Sequence, residues 1–261
     1  MAGDLNFHEW GHERSMGEPV LAVHGYLLGG GFWRRFAESC RDRFRIVAPD
    51  LPGFAGSGRL PPCRSIEELA AAVLGFADHR GLETFHLIGH SMGGCIVQQM
   101  ALDAGDRIRK LVVYSSSAGV GRPGGSAASA RGPEARLAVL EKEGVDGLRR
   151  WMAPYWFAAG DASPYLEETI ACGRGGSPEA AGLGPRYMTS WDIHDRLGEI
   201  APPTLVIGGD KDHTFTVEAM TAVATGVRDG SLCVLPDTAH CAHLECGAAF
   251  DDVVRTFLTG G

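Results

Sequence analysis

Phe85-His86-Leu87-Ile88-Gly89-His90-Ser91-Met92-Gly93-Gly94-Cys95-Ile96-Val97 is the stretch on which the reading of this chain turns. A short apolar run ends at Gly89. Gly-His-Ser-Met-Gly follows, and the chain then continues through Gln98, Gln99, Met100, Ala101 and Leu102 with helical character. G-x-S-x-G between a strand and a helix encodes a sharp turn with a serine at its tip. Side chains two residues either side of that serine would collide with their neighbours, so glycine at 89 and 93 has a steric reason. Such a turn holds the Ser91 hydroxyl above the sheet edge. It also aims the Met92 N–H, at a helix N-terminus, toward the same space, where it can donate to an oxyanion.

A serine is a weak nucleophile without a base and a group to orient that base. In a strand–serine–helix architecture these follow in the order Ser, Asp or Glu, His. Downstream, Thr204-Leu205-Val206-Ile207-Gly208-Gly209 reads as a strand, followed by Asp210 and Asp212. Ser231-Leu232-Cys233-Val234-Leu235 reads as another, followed by a loop with His240. Both loops lie beyond strand C-termini, where open parallel sheets place their ligands. His213 and His243 are rival bases, and loop position and order favour His240. The residues alone leave Asp210 and Asp212 as alternatives.

With these stretches in place, most of the chain resembles the α/β-hydrolase superfamily. Pro19 to Tyr26 is similar to the family's strand ending in His-Gly-X. Asp50-Leu51-Pro52-Gly53-Phe54-Ala55-Gly56-Ser57 is similar to its D-x-P-G-x-G-x-S loop, and Gly89 to Gly94 to its G-H-S-M-G-G turn. Pro203 to Asp212 resembles the acid segment. His240 to Phe250, with Glu245 five residues after the histidine, resembles the tail. Ala55, Ala239 and Gly247 depart from the pattern, Ala55 where glycine is usual, with Gly56 left to serve the turn. The resemblance implies a triad of Ser91, Asp212 and His240. It also implies an oxyanion hole made by the backbone N–H groups of Tyr26 and Met92. It implies no cofactor and no metal.

The 261 residues suit one α/β domain with an insertion. A net charge of −8 with no basic stripe argues against a nucleic-acid partner. No stretch is long and apolar enough for a membrane span. The first ten residues lack the basic and apolar regions of a signal peptide. Seven scattered cysteines fit a reduced, cytoplasmic setting. His240, Cys241, His243 and Cys246 could suggest a metal cluster, but their spacing does not match common zinc patterns. Gly29-Gly30-Gly31 follows a strand, yet neither nucleotide-binding glycine motif is present. A small-molecule substrate is the expected partner, and the oligomeric state is open.

Apolar runs alternating with helical patterns predict a twisted, mostly parallel sheet with helices on both faces. Strands are expected at 20–24, 44–48, 85–89, 110–115, 204–208 and 231–235, with an antiparallel entry strand around 5–10. Ser65–His79 reads as a helix opened by a capping box of Ser65 and Glu68, with an apolar stripe of Ile66, Leu69, Ala70, Val73, Leu74 and Ala77. Residues 118–132 lack periodicity and read as a flexible connection. Residues 133–191 are helical without a strand and carry Trp151, Tyr155, Trp156, Tyr165, Tyr187 and Trp191. Residues 1–117 and 196–261 are therefore expected to form the core, and 118–195 a helical cap, where the family places its lid. Leu27, Trp151, Tyr155 and Trp156 are expected to line a substrate pocket, although buried aromatics also serve packing.

The expected function is a serine hydrolase acting on a small or medium ester, lactone or thioester with an apolar portion, through an acyl-enzyme on Ser91. The same triad could serve a C–C bond hydrolase of ring-cleavage products, or a cofactor-free lyase or synthase. A ligand receptor that retains the triad is the reading of a different class.

Overall fold

Runs of consecutive apolar residues make strands when both faces of a sheet are covered, because no polar face is then needed. In the computed structural model, which describes residues 5–11, 18–120 and 132–260, these runs form one seven-stranded sheet. The strands are β1 (Phe7–Trp10), β2 (Pro19–Val23), β3 (Arg45–Pro49), β4 (Phe85–His90), β5 (Ile108–Tyr114), β6 (Thr204–Gly209) and β7 (Gly230–Leu235). Their order is β1-β3-β2-β4-β5-β6-β7. β1 runs antiparallel to β3, and the other pairs are parallel. Every residue of β4 and β6 is buried. Each boundary falls within two residues of the sequence expectation.

The helices are α1 (Arg34–Cys40), α2 (Ile66–His79), α3 (Met92–Ala104), α4 (Pro133–Met152), α5 (Leu166–Cys172), α6 (Pro178–Ser190), α7 (Val217–Gly226), α8 (Ala242–Glu245) and α9 (Gly247–Thr259). α2 packs on α3, α1 on α9, and α7 on β6 and β7. The expected stripe of α2 is buried, with Leu74 half-buried. Ser65 caps this helix by accepting from the Glu68 N–H at 3.2 Å. The return bond differs from a capping box: the Glu68 carboxylate accepts from the N–H of Arg64, one residue earlier, at 2.7 Å. A further departure is Ala55. It takes the left-handed conformation itself (φ 42°) rather than passing the turn to Gly56.

After β5 the chain leaves the sheet, and no strand forms between β5 and β6 among the described residues. The exit and the return are tied together. Gly119 and Asp192 form an antiparallel bridge, and the Ile193 N–H donates to the Ala118 carbonyl at 2.8 Å. Most of the connection expected at 118–132 lies outside the described residues. α4 breaks at Gly144, whose φ of 71° is a conformation that L side chains rarely adopt. Side-chain hydrogen bonds help hold this excursion to the core. Trp191 Nε1 donates to Gln99 at 3.0 Å, and the hydroxyls of Tyr187 and Tyr26 donate to the carbonyls of Cys63 and Ala181 at 2.5 Å each. Among the described residues no helix is long and apolar enough to cross a membrane.

Candidate active site

The turn after β4 is as sharp as its glycines imply. Ser91 sits at φ 58°, ψ −121°, outside the common regions for a residue with a Cβ. A Cβ on Gly93 would lie 2.4 Å from the Val23 carbonyl oxygen, and one on Gly89 would lie 2.2 Å from that of Gly93. Only glycine fits either position. The strained serine is held on both sides: its N–H donates to the Tyr114 carbonyl at 2.9 Å, and its carbonyl accepts from the Ser116 hydroxyl at 2.8 Å. Met92 begins α3, so its N–H has no acceptor within the helix. The loop after β2 abuts this turn. A Cβ on Gly25 would lie 3.0 Å from that of Ser91, which brings Tyr26 beside the serine.

β6 pairs with β5 and β7 with β6, and the loops after these two strands deliver the other two groups. His240 Nδ1 lies 2.8 Å from Asp212 Oδ2, with both residues buried. Asp212 Oδ1 accepts from the N–H groups of Thr214 and Phe215 at 2.7 and 3.1 Å. The carboxylate is thereby fixed, and it requires His240 to carry its proton on Nδ1, leaving Nε2 free to accept one. The Phe215 ring stacks on the imidazole at 5.8 Å. Asp210 is exposed. Of the two acids left open by the residues, geometry therefore joins Asp212 to the histidine.

The rival histidines are occupied elsewhere. His213 is exposed beside the Tyr155 ring. His243 is buried; it accepts from the Tyr114 hydroxyl at Nδ1 (3.1 Å) and donates from Nε2 to the Phe32 carbonyl (3.2 Å). Among the described residues no group of three or more His, Cys, Asp or Glu is placed to hold a metal ion. His90, just before the serine, donates from Nε2 to the His240 carbonyl at 3.0 Å and so supports that loop.

Burial lowers the pKa of several of these rings. For His243 it reaches about 4, and for His90 it falls well below the usual value of 6.5. Each ring stays neutral in the folded chain but protonates near pH 6.5 when unfolded. Between those values the unfolded state binds more protons, so stability is complete above about pH 6.5 and is lost as pH falls. His243 alone accounts for about 3 kcal/mol across that window. Urea unfolding from pH 7 to pH 4 is expected to show this decline, with proton uptake on unfolding at pH 5. A flat profile would contradict it.

Glu245 closes the site from the tail. Its two carboxylate oxygens accept from the N–H of Ala239, next to His240, at 2.7 Å and from the N–H of Ala158 in the excursion at 2.8 Å. Glu245→Ala leaves both donors without this acceptor and is expected to cost about 1–3 kcal/mol in chemical denaturation.

Ser91 and His240 share the wall of a cavity of about 330 Å³. The core contributes Tyr26, Leu28 and Phe215, and the excursion contributes Met152, Trp156 and Met188. Of the four side chains expected to line a pocket, Trp156 does so. Leu27 does not, because it adopts φ 62° and is buried in the core, while its neighbour Leu28 faces the cavity. Trp151 and Tyr155 do not line it either. Met152 ends α4 and Trp156 lies in the 3₁₀ turn that follows; both face the cavity, and the tryptophan or tyrosine one residue earlier is rotated away by about 100–120°. The sequence reading missed Arg136, which lines the cavity, and Arg149. Arg149 is buried and donates from Nε to the Leu27 carbonyl at 2.9 Å, linking α4 to the loop of Tyr26. Neither arginine carries a local signal, since both read as ordinary charged helical residues.

A parallel sheet with a strained serine turn after its central strand, and an acid and a histidine on later strand-end loops, defines a class. The chain belongs to the alpha/beta hydrolase fold family, whose characteristic region matches residues 18–131, and it is a hydrolase. It is 30% identical over 251 residues to a putative carbamate hydrolase RutD of Azorhizobium caulinodans, covering 94% of this chain and 91% of that one. It is 28% identical over 283 residues to the 2-hydroxy-6-oxo-6-phenylhexa-2,4-dienoate hydrolase of Burkholderia cepacia, covering 99% and 94%. Among solved structures, the thermophilic esterase of Thermogutta terrifontis superposes with a TM-score of 0.82 at 28% identity, covering 97% and 92%.

Proposed function

We propose that this chain hydrolyses a small or medium ester, lactone or thioester through an acyl-enzyme on Ser91. One observation carries the reading: His240, fixed by Asp212 in the tautomer with a free Nε2, shares a mostly apolar cavity with a serine held on a strained turn. In the proposed reaction His240 takes the Ser91 proton as the hydroxyl attacks the carbonyl. The N–H groups of Met92 and Tyr26 hold the tetrahedral oxyanion. His240 returns the proton to the leaving group, then activates the water that releases the acid. Residues 118–195 act as a cap, which the apolar wall built by Met152, Trp156 and Met188 supports. The substrate accordingly carries an apolar portion. The seven free cysteines support a reducing, cytoplasmic setting.

A second reading has its own observation. The chain is similar over nearly its whole length to a 2-hydroxy-6-oxo-6-phenylhexa-2,4-dienoate hydrolase, so the same residues could cleave a C–C bond beside a carbonyl. Two assays separate the readings. The first combines p-nitrophenyl ester turnover with intact-mass analysis after a fluorophosphonate, and a single adduct with ester hydrolysis supports acyl transfer. The second follows loss of a coloured vinylogous diketone. Turnover of the diketone with negligible ester hydrolysis would overturn the first reading in favour of the second.

A further inference from the structure

Arg136 is a charged side chain set into an apolar wall. It lies in the first turns of α4, is 9% exposed, and lines the cavity that Ser91 and His240 share. Gly132 and Pro133, the cap and first residue of the same helix, line it as well. The positive end of the α4 dipole therefore lies on that wall. The other lining side chains include Leu28, Met152, Trp156, Met188 and Phe215, and no Asp, Glu or Lys occurs among the described lining residues. Burial disfavours the charge of the guanidinium and lowers its pKa, while the nearby Tyr26 acts in the opposite direction. An arginine nevertheless remains protonated, and its planar fork suits a carboxylate in a low-dielectric site better than any neutral group.

Two facts make this placement chemically specific. Arg136 and the Ser91–His240 pair belong to different elements and line the same cavity, so a ligand reaching both must span it. Most of the other described lining residues offer an apolar ligand good packing, and Arg136 is the one Arg or Lys in the described lining.

We propose that Arg136 binds a carboxylate on the part of the substrate remote from the scissile carbonyl. The preferred substrates are then acid-bearing esters or lactones, such as half-esters of short dicarboxylic acids, rather than neutral esters of equal size. This rests on the reading of Ser91 as an acyl-transfer nucleophile, and the tests keep the two apart.

The kinetic test compares 4-nitrophenyl hydrogen glutarate with 4-nitrophenyl pentanoate, which differ by a terminal carboxylate in place of a methyl. After subtraction of spontaneous hydrolysis, the ratio of kcat/KM, acid over neutral, is expected to exceed roughly tenfold in the native enzyme. It is expected to fall toward one in Arg136→Met, mostly through KM, and to be partly restored in Arg136→Lys. A native ratio near or below one, or a ratio unchanged in both variants, would overturn the proposal. The binding test uses Ser91→Ala and titrates monobenzyl glutarate against benzyl pentanoate by calorimetry, so it needs no turnover. Tighter binding of the acid by Ser91→Ala, lost in Ser91→Ala/Arg136→Met, supports Arg136 as the anion site even if no ester is hydrolysed. Equal binding of the two ligands by Ser91→Ala, whether or not the double variant folds, refutes it.

Discussion

Ser91→Ala is expected to lower kcat for ester hydrolysis by about 10⁴- to 10⁶-fold, the scale seen when a triad nucleophile is removed. The fold should tolerate the change. Ser91 is buried, and the backbone bonds to Tyr114 and Ser116 that hold its turn do not involve the hydroxyl. Alanine meets the same φ of 58° as serine, so the strain is unchanged. Unfolding free energy should therefore shift by less than about 1 kcal/mol. The check joins three measurements on native protein and variant: ester kinetics, intact mass after a fluorophosphonate, and urea unfolding. An inactive variant with native stability and no adduct supports Ser91 as the nucleophile. A variant that keeps a tenth of native kcat, with its adduct intact, would remove Ser91 from the chemistry.

The second large effect separates two acids that lie two residues apart. Asp212→Asn is expected to reduce kcat about 10⁴-fold, and Asp210→Asn to leave it within about twofold. The cause is a tautomer. Asp212 accepts from His240 Nδ1, so the free Nε2 can take a proton. An asparagine amide turned toward Nδ1 donates instead and drives the proton to Nε2, where it blocks the attack. The asparagine oxygen can still accept from Thr214 and Phe215, so the loop keeps its support. Asp210 is exposed, so its charge is screened by solvent. If Asp210→Asn were the crippling change, the geometry of the acid loop would be misread and the histidine would need another partner.

The effect of Glu245→Ala on stability and the decline in stability below pH 6.5 depend on neither catalytic assignment. Both follow from bonds that the fold sets around the site: Glu245 accepts from Ala239 and Ala158, and buried His243 lies between Tyr114 and Phe32. Their outcomes therefore test the packing around the site separately from its chemistry.

How far the residues alone reach differs between parts of the site. The serine turn was legible because its determinants are local: two glycines four residues apart, an apolar run before them and a helical pattern after. The inner strands β2 to β6 were legible to within two residues because buried parallel strands need largely unbroken apolar runs. The helical excursion was legible from its lack of such a run. Reading the reciprocal bond of the α2 cap onto Ser65 failed by one residue, since a flexible glutamate can reach either of two adjacent N–H groups, and the backbone entering the helix decides which.

The chain by itself thus determined the sheet, the sharp serine turn, and the order in which an acid and a histidine follow it. Each depends on neighbours in sequence or on strand succession. Family resemblance pointed to Asp212 over Asp210, but only the tertiary structure shows which carboxylate meets a histidine 28 or 30 residues away. It also decided that Met152 and Leu28, not Trp151 and Leu27, face the cavity. Hydrophobicity states that a side chain is buried, but the rotation of a helix and the sign of one φ angle settle what it is buried against. Arg136 lies wholly on that side of the division. Nothing within its own helix distinguishes it from a solvated arginine until the excursion folds over the sheet and places it in the cavity with Ser91.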